Sequence, residues 1–234
     1  MIKILIVSVI LLFILFLIYS ILPTLLIRRS ERGIIKTINA PAIALTFDDG
    51  PNPEYTPQLL DLLKKYGVKA SFFVVGSKVK AYPAIIKRMS QEGHTIGIHH
   101  YNHISSWILS PFHLKKQLQM TEQAIKDCTN EAVTFYRPPW GSFNSASLFL
   151  SKRYKVIMWS HIFGDWKVAK GKNGLLEELL QTTEAGSVLL LHDCGETLGA
   201  DRLAPRYMLK CLEIYLQENV NKGTKFIPLK EVNF

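Results

Sequence analysis

Ile43-Ala44-Leu45-Thr46-Phe47-Asp48-Asp49-Gly50-Pro51 is the stretch of sequence from which the fold is best inferred. Residues typical of a buried strand run directly into two adjacent carboxylates, and a Gly-Pro pair then ends the strand. Two neighbouring aspartates repel each other, so keeping both ionised at a half-buried strand end costs free energy unless a cation or hydrogen-bond donor offsets it. A metal ion is the simplest such cation, and a solvated Asp-Gly-Pro turn is the alternative.

The N-terminus is the most apolar part of the chain. Residues 4–27 carry no charge, and as a helix they extend about 36 Å, against a hydrocarbon core of roughly 30 Å. This run is longer than the apolar core of a signal peptide and lacks a small-x-small cleavage site. We therefore predict an uncleaved membrane anchor at residues 1–29, a linker at residues 30–42 and one folded domain at residues 43–234.

The charges that flank the anchor disagree with the function inferred below. Lys3 lies on one side of it and Arg28, Arg29 and Arg32 on the other, so the positive-inside rule favours a cytoplasmic C-terminal side. The inferred function instead requires the domain to lie outside the cell. We expect a single-pass cell-membrane protein with an extracytoplasmic domain, against the charge count.

Composition narrows the class of partner. The net charge of +9 suits an anionic neighbourhood such as lipid head groups or a cell wall. We expect neither a nucleic acid nor a nucleotide partner, because the chain has no long Lys/Arg run, nucleic-acid motif or phosphate-binding loop. Three cysteines without a CxxC pair predict neither a disulfide framework nor a cysteine-ligated zinc site.

Beyond the anchor, apolar runs alternate with helical patterns, which is typical of strand–helix units around a parallel sheet. We predict further strands at 70–75, 95–98, 133–136, 155–159, 187–191 and 226–229, and helices at 56–66, 83–92, 110–128, 144–152, 175–184 and 204–217. The unusual polar residues follow strands, and in a parallel α/β barrel those strand ends share the face where active sites form. These residues are Asp48, Asp49, His99, His103, Arg137, Asp165 and His192.

The residue types at these strand ends suit metal-assisted hydrolysis. Two histidines four residues apart, His99 and His103, together with one aspartate, form a His-His-Asp set with open coordination positions, which suits Zn²⁺ or another divalent ion. The second aspartate is then free to take a proton from water. Arg137 would keep that carboxylate ionised if it reached it. An acid is also needed, and His192 can fill this role with either Asp165 or Asp193 as its partner.

Five successive motifs over about residues 40–230 resemble those of the polysaccharide deacetylase family, the NodB-homology carbohydrate esterases. They are Thr46-Phe47-Asp48-Asp49-Gly50-Pro51, His99 to His103, Arg137-Pro138-Pro139-Trp140-Gly141, Asp165-Trp166 and Leu190-Leu191-His192. The resemblance implies a distorted (β/α) barrel and metal-dependent removal of N-acetyl groups from an N-acetylated glycan polymer, with peptidoglycan as the first candidate. Zn²⁺ is the expected metal, with Co²⁺ or Mn²⁺ as alternatives.

The resemblance also implies a role for each site residue. Asp48 would be the base, Asp49, His99 and His103 would bind the metal, and His192 would be the acid. Arg137 would hold the base and Asp165 would tune the acid. The backbone N–H of Trp140 would help to stabilise the oxyanion, while Trp166 and Leu190 would form the walls of the acetyl pocket.

Three departures from the family pattern and two alternative functions remain open at this point. His100 stands where the family often has serine or threonine, so it is either a supporting contact or a competing metal ligand. Ile162 stands where an aspartate is usual, and Trp140 where tyrosine is common. The alternatives are a deacylase of another acylated glycan or lipid-linked sugar, and a catalytically silent glycan-binding relative.

Overall fold

The computed structural model describes residues 1–234 and contains one seven-stranded sheet. Its strands are β1 (Ala44–Asp48), β2 (Ser71–Val74), β3 (Thr95–Ile98), β4 (Phe135–Tyr136), β5 (Lys155–Val156), β6 (His161–Ile162) and β7 (Val188–His192). The order across the sheet is β5-β4-β3-β2-β1-β7-β6, and every pair is parallel. The predicted α/β fold is therefore confirmed.

The sheet curls into a distorted, nearly closed barrel. Its two edge strands, β5 and β6, lie at opposite ends of the strand order, yet only residues 157–160 join them in the chain. Five residue steps span at most about 17 Å, so the two edges must come near each other. This connection accounts for the barrel shape.

Both faces of the central strands are buried, as in other parallel sheets covered by helices. Leu45, Phe47 and Leu189 belong to the large core cluster that the sheet shares with the helices. Ala44 and Val188 belong to a second cluster on the other face. The carboxyl ends of the strands are thus held by packing on two sides, which makes them a rigid support for a site.

Helices cover the outside of the sheet. They are α3 (Tyr55–Lys65), α4 (Gly76–Ala81), α5 (Pro83–Gln91), α6 (Pro111–Thr129), α7 (Ser147–Leu150), α8 (Val168–Lys172), α9 (Leu175–Gln181) and α10 (Ala204–Asn221). Proline stands in the first turn of α5, α6 and α10, where its missing N–H costs nothing. Ser110 caps α6 by accepting a hydrogen bond from the N–H of His113.

The predicted linker at residues 30–42 packs against the barrel. Ile35 pairs with Ile157 beside β5, and Thr37 pairs with Ser187 beside β7. Ile38 is buried in the second core cluster. This segment therefore bridges the gap between the two sides of the curled sheet, and it does more than connect two parts of the chain.

One helical stretch precedes this segment. It runs from Ile2 to Ser30, and by length and composition it is able to cross a membrane. It consists of α1 (Ile2–Phe16), a π-helical turn (Leu17–Ile21) and α2 (Leu22–Ser30). No residue of α1 is buried, whereas Pro23, Thr24 and Ile27 of α2 are buried against the domain.

Several element predictions were wrong. Residues 226–229 form no strand: Phe226 makes one isolated bridge with Ile43, and Leu229–Glu231 is a 3-10 turn. Pro228 explains this, because it has no N–H to donate to a ladder. The short elements β6, α4 and α8 were not predicted. The predicted helix at 144–152 is only α7 followed by a 3-10 turn, Ser151–Arg153.

Candidate active site

The predicted site residues meet at the carboxyl end of the barrel. β1 lies between β2 and β7, and Asp48 is in register with Phe73 on one side and His192 on the other. His99 directly follows β3, and Arg137 directly follows β4. Because these strands are neighbours in a parallel sheet, their ends bring residues from distant parts of the chain to one place.

Asp49, His99 and His103 form a compact cluster of potential metal ligands. Asp49 Oδ1 lies 2.9 Å from His103 Nε2 and 3.3 Å from His99 Nε2, and the three side chains are nearly buried. All candidate ligand atoms lie within 4.8 Å of one another. Two ligands of a tetrahedral zinc ion lie about 3.4 Å apart. The side chains present therefore fit a divalent ion.

Neighbouring groups orient these ligands. His99 Nδ1 lies 2.8 Å from the carbonyl oxygen of Arg137, and since a carbonyl only accepts, Nδ1 carries the proton and Nε2 keeps its lone pair. The hydroxyl of Thr197 donates to Asp49 Oδ2 at 2.6 Å. Burial would raise the pKa of Asp49, but the neighbouring side chains of His103 and His99 hold it well below its usual value. Asp49 is therefore ionised, as a carboxylate ligand of a metal must be.

The backbone here adopts conformations that are rare for residues with a side chain. Asp49, His100, His103 and Trp140 have positive φ angles of 77°, 58°, 51° and 54°. Such angles cost about 1–3 kcal/mol each and persist where the surrounding structure enforces them. Four of the six non-glycine residues with positive φ lie at this site, so backbone strain is concentrated at the cluster.

Asp48 is held by a fully buried arginine. Arg137 Nη1 donates to Asp48 Oδ1 at 2.7 Å, and its other donors reach the carbonyl oxygens of Ile157 and Met158 at 3.0 and 2.8 Å. The guanidinium also lies over the ring of Phe73, with 4.2 Å between them. Oδ2, the other carboxylate oxygen of Asp48, lies 3.7 Å from His99 Nε2. This oxygen is available to accept a proton beside the cluster.

His192 pairs with Asp165, which resolves the alternative between Asp165 and Asp193. His192 Nδ1 lies 3.0 Å from Asp165 Oδ1, and the backbone N–H of His192 donates to Asp165 Oδ2 at 2.7 Å. Burial would lower the pKa of His192, but Asp165, together with the more distant Asp49 and Asp48, raises it to about 9. His192 is therefore a protonated acid at neutral pH.

Asp193 turns away from His192 and supports the Asp49-Gly50 turn. Its Oδ2 accepts a hydrogen bond from the hydroxyl of Thr56 at 2.5 Å. A Cβ atom at Gly50 would lie only 2.4 Å from either carboxylate oxygen of Asp193, so this position requires glycine. Burial raises the pKa of Asp193 to about 6.

His100 also points away from the metal cluster. Its Nδ1 lies 2.7 Å from the carbonyl oxygen of Ile104, and its Nε2 lies 2.8 Å from the hydroxyl of Tyr136. Burial lowers its pKa to about 3, so it is neutral. Because both ring nitrogens are occupied, His100 is not a competing ligand, and it fixes the loop that carries His103.

A pocket of about 550 Å³ opens beside these groups. The three residues predicted to contact substrate, Trp140, Trp166 and Leu190, all line it, and so does Ile162. The ring of Trp140 lies 4.4 Å from that of His103, and the ring of Trp166 lies 5.2 Å from that of His192. The apolar walls therefore adjoin both the ligand cluster and the acid.

Sequence reasoning missed three residues that serve this site. Arg28, placed in the predicted anchor, lines the pocket, and its Nη2 donates to the carbonyl oxygens of Trp140 and Gly141 at 2.9 and 3.2 Å. Lys78 donates to the carbonyl oxygen of Asp49 at 2.9 Å, and Thr197 binds the Asp49 carboxylate. No local pattern identifies these side chains, because each acts through a residue distant in the chain.

The fold is that of a polysaccharide deacetylase domain. A family model described as polysaccharide deacetylase matches residues 36–159. The chain belongs to this family.

Two relatives illustrate the likeness in sequence. The chain is 33% identical over 198 residues to a peptidoglycan-N-acetylglucosamine deacetylase of Bacillus cereus, covering 83% of this chain and 89% of that protein. It is 39% identical over 155 residues to an uncharacterized 30.6 kDa protein of Geobacillus stearothermophilus, covering 64% of this chain. The matched region spans only 58% of the length of the Geobacillus protein.

Solved structures agree with this family. The Bc1960 peptidoglycan N-acetylglucosamine deacetylase superposes with a TM-score of 0.75 at 29% identity, over 87% of this chain and 94% of that one. A CE4 family pseudoenzyme from Bacillus anthracis superposes with a TM-score of 0.69 at 27% identity, over 83% of this chain and 66% of that one. The family fold thus includes both enzymes and a pseudoenzyme.

Proposed function

We propose that this protein is a metal-dependent hydrolase that removes N-acetyl groups from cell-wall polysaccharide, with peptidoglycan as its substrate. One observation carries the proposal: a held carboxylate, Asp48, and a protonated imidazole, His192, lie at a single pocket beside the Asp49, His99 and His103 cluster. This arrangement supplies a proton acceptor and a proton donor around one reacting carbonyl. It also supports the role assigned to each residue.

Asp49, His99 and His103 would hold the divalent ion, which acts as a Lewis acid and makes water a stronger acid. Two imidazole nitrogens and one carboxylate oxygen form a donor set suited to Zn²⁺, and Co²⁺ or Mn²⁺ also accept such ligands. The set leaves room for water and substrate, which is typical of a catalytic rather than a structural site.

The chain's own residues manage the protons. Asp48 accepts the proton of the attacking water, and Arg137 holds Asp48 in position by a charge-assisted hydrogen bond. We assign the backbone N–H of Trp140 as the donor to the oxyanion that forms on the acetamide carbonyl. His192 protonates the departing amine, and Asp165 holds the His192 ring in place and favours its protonated form. The products are acetate and a free amino sugar.

The pocket fits a small acyl group with a polar sugar attached. Trp166 and Leu190 offer apolar surface on the acid side, and Trp140 is half-exposed at the opposite wall. The named relatives act on peptidoglycan, which supports an N-acetylated cell-wall glycan as the substrate. All groups of the proposed mechanism are present, which favours an enzyme over a silent relative.

We further propose that the apolar helix anchors the chain in the cell membrane with its domain outside the cell, where peptidoglycan lies. The Arg28 side chain, which contributes to the contrary charge count, is bound to the pocket loop. The contact of Arg28 with the domain therefore explains its position independently of the membrane orientation.

Acetate release tests the function. The purified chain should release acetate from peptidoglycan, the chelated protein should not, and added Zn²⁺ should restore the rate. Asp48→Asn should bind metal as the wild type does and lose most of the rate. Metal-independent release, or no release from peptidoglycan and N-acetylglucosamine oligomers alike, would contradict the proposal.

A further inference from the structure

The free part of the N-terminal helix is shorter than a bilayer core. Tyr19 and Ser20 already contact the domain: the Tyr19 hydroxyl donates to Leu109 O at 2.9 Å, and the Ser20 hydroxyl donates to Trp107 O at 2.6 Å. The uncharged residues before them, 4–18, span only about 22 Å as a helix. A hydrocarbon core is roughly 30 Å thick, which leaves a deficit of about 8 Å.

The deficit has a simple consequence for the domain. If the helix crosses a membrane, the hydrocarbon region must extend past Ile18 to the level at which the domain begins. The segments bound there, residues 106–112 and 143–149, must then lie at the depth of the interface. Such segments should expose apolar rather than charged side chains.

The exposed side chains of these segments are large and apolar. Ile108, Phe112 and Phe149 are 72%, 71% and 69% exposed, values unusual for such residues in a soluble protein. Together with further exposed residues around α2 they form a surface that we call the apolar rim. The apolar rim consists of Leu22, Leu25, Leu26, Ile108, Phe112, Leu148 and Phe149.

The segments that carry the apolar rim are basic. Residues 17–30, 104–121 and 143–153, which include it, contain none of the chain's 19 acidic residues. The Lys152 ammonium lies 5.1 Å from the ring centre of Phe149. Basic side chains beside exposed apolar ones are typical of surfaces that enter an anionic lipid interface. Arg28 is bound to the pocket loop and Arg153 pairs with Glu122, which leaves Arg29, Lys115, Lys116 and Lys152 as the remaining basic residues of these segments.

We infer that the apolar rim is immersed in an anionic phospholipid surface, so that the domain is seated on the membrane rather than tethered above it. This inference rests on the proposed membrane span but not on the deacetylase chemistry. The rim is continuous with the apolar helix, which supports lipid rather than a second protein copy as its occupant. The rim should enter the interface by about 5–10 Å.

Seating on the membrane sets where the pocket can act. Arg28 lines the pocket and lies ten residues beyond Ile18, or about 15 Å along the helix axis. Because buried Thr24 and Ile27 fix α2 to the domain, this height cannot vary freely. The glycan that reaches the pocket must therefore lie close to the bilayer surface.

Depth-dependent quenching of tryptophan tests the seating. Phe112→Trp and Phe149→Trp place one probe on each of the two segments of the apolar rim, residues 106–112 and 143–149. Ile214→Trp is the matched control. Ile214 is also an exposed apolar residue, but it lies on α10, which packs against α3, α8 and α9. The full-length variants are reconstituted in anionic phospholipid vesicles with or without chains brominated near the glycerol end, and wild-type emission is subtracted.

We expect brominated lipid to quench roughly half of the added emission of the two rim variants, and little of that of Ile214→Trp. Equal quenching at positions 112 and 214 would overturn the inference. A loss of quenching at position 112 that appears only at high protein density would also overturn the inference, because a second copy of the chain would then cover the apolar rim.

Failure of the inference is distinguishable from failure of the proposed function. Vesicle flotation of the wild type tests the membrane span itself, and a chain that does not float overturns both the span and the seating. Acetate release from a soluble glycan in detergent tests the chemistry without a membrane. If the Phe112→Trp variant floats and releases acetate but its added emission is not quenched, the seating alone is contradicted.

Discussion

Asp165→Asn should move the pH dependence of the reaction through His192. In the wild type, His192 has a pKa of about 9, compared with an ordinary value of 6.5. That difference corresponds to about 3 kcal/mol of preference for the protonated ring. Asp165 makes both the closest charge contact and the hydrogen bond to Nδ1, so the neutral amide removes most of this preference and burial then favours the neutral ring.

The sign follows from the role of His192 as a proton donor. Activity should persist up to the His192 pKa and fall as pH rises through it, so the basic limb of kcat/KM in the wild type lies near pH 9. In Asp165→Asn that limb should move down by at least about 1 pH unit, which lowers the rate at pH 7 and partly restores it near pH 5.5.

The assay is acetate release measured from pH 5 to pH 10 at fixed metal concentration. Asp193→Asn is the matched control, because Asp193 is the next residue and equally buried but bonds to Thr56 instead of His192. Its basic limb should stay in place whatever its absolute rate. An unchanged limb in Asp165→Asn, or an equal shift in Asp193→Asn, would refute the assignment of Asp165 as the group that sets the His192 pKa.

Three further predictions follow from the contacts at the pocket. Arg137→Met should lower the free energy of unfolding by about 3–5 kcal/mol in thermal denaturation, because it leaves Asp48 buried without its partner. Asp49→Ala should lose bound metal in elemental analysis. Asp48→Asn should keep the metal, and its kcat should fall by a factor of about 10²–10⁴. Loss of metal from both variants would contradict the division of roles. Arg28→Ala should lower kcat about tenfold with a smaller change in KM, because each lost hydrogen bond to the loop carbonyls is worth about 1 kcal/mol. Arg29→Ala should leave kcat unchanged, and an equal loss in both variants would argue against a specific role for Arg28.

Much of the site was predictable because its residues follow strands in a fixed pattern. The run at residues 43–47 identifies a buried strand, and the carboxylates that follow it must emerge at its carboxyl end. Parallel pairing then brings such ends together whatever the details of the loops. For this reason the meeting of His99 and His103 with an aspartate was predictable, and the family resemblance assigned Asp49 to that cluster.

The partners of these residues were not predictable in the same way. The residue types left both Asp165 and Asp193 open as partners of His192, and the family resemblance favoured Asp165. In the structure, the packing of Asp193 on Thr56 and Gly50 separates them. The direction of His100 was also undetermined, because it depends on the positive φ angle that this residue adopts in the folded chain. Such choices depend on backbone angles that loop residues adopt only in the folded chain.

The sequence by itself determined the apolar helix, the parallel α/β barrel and the residue types at its mouth, because these depend on local periodicity and on the order of motifs along the chain. Only the tertiary structure decided that Arg28 reaches the pocket, that residues 34–42 complete the barrel and that apolar side chains surround the emerging helix. These features join segments that are far apart in the chain. Their contacts exist only after the sheet has curled, so no local pattern encodes them.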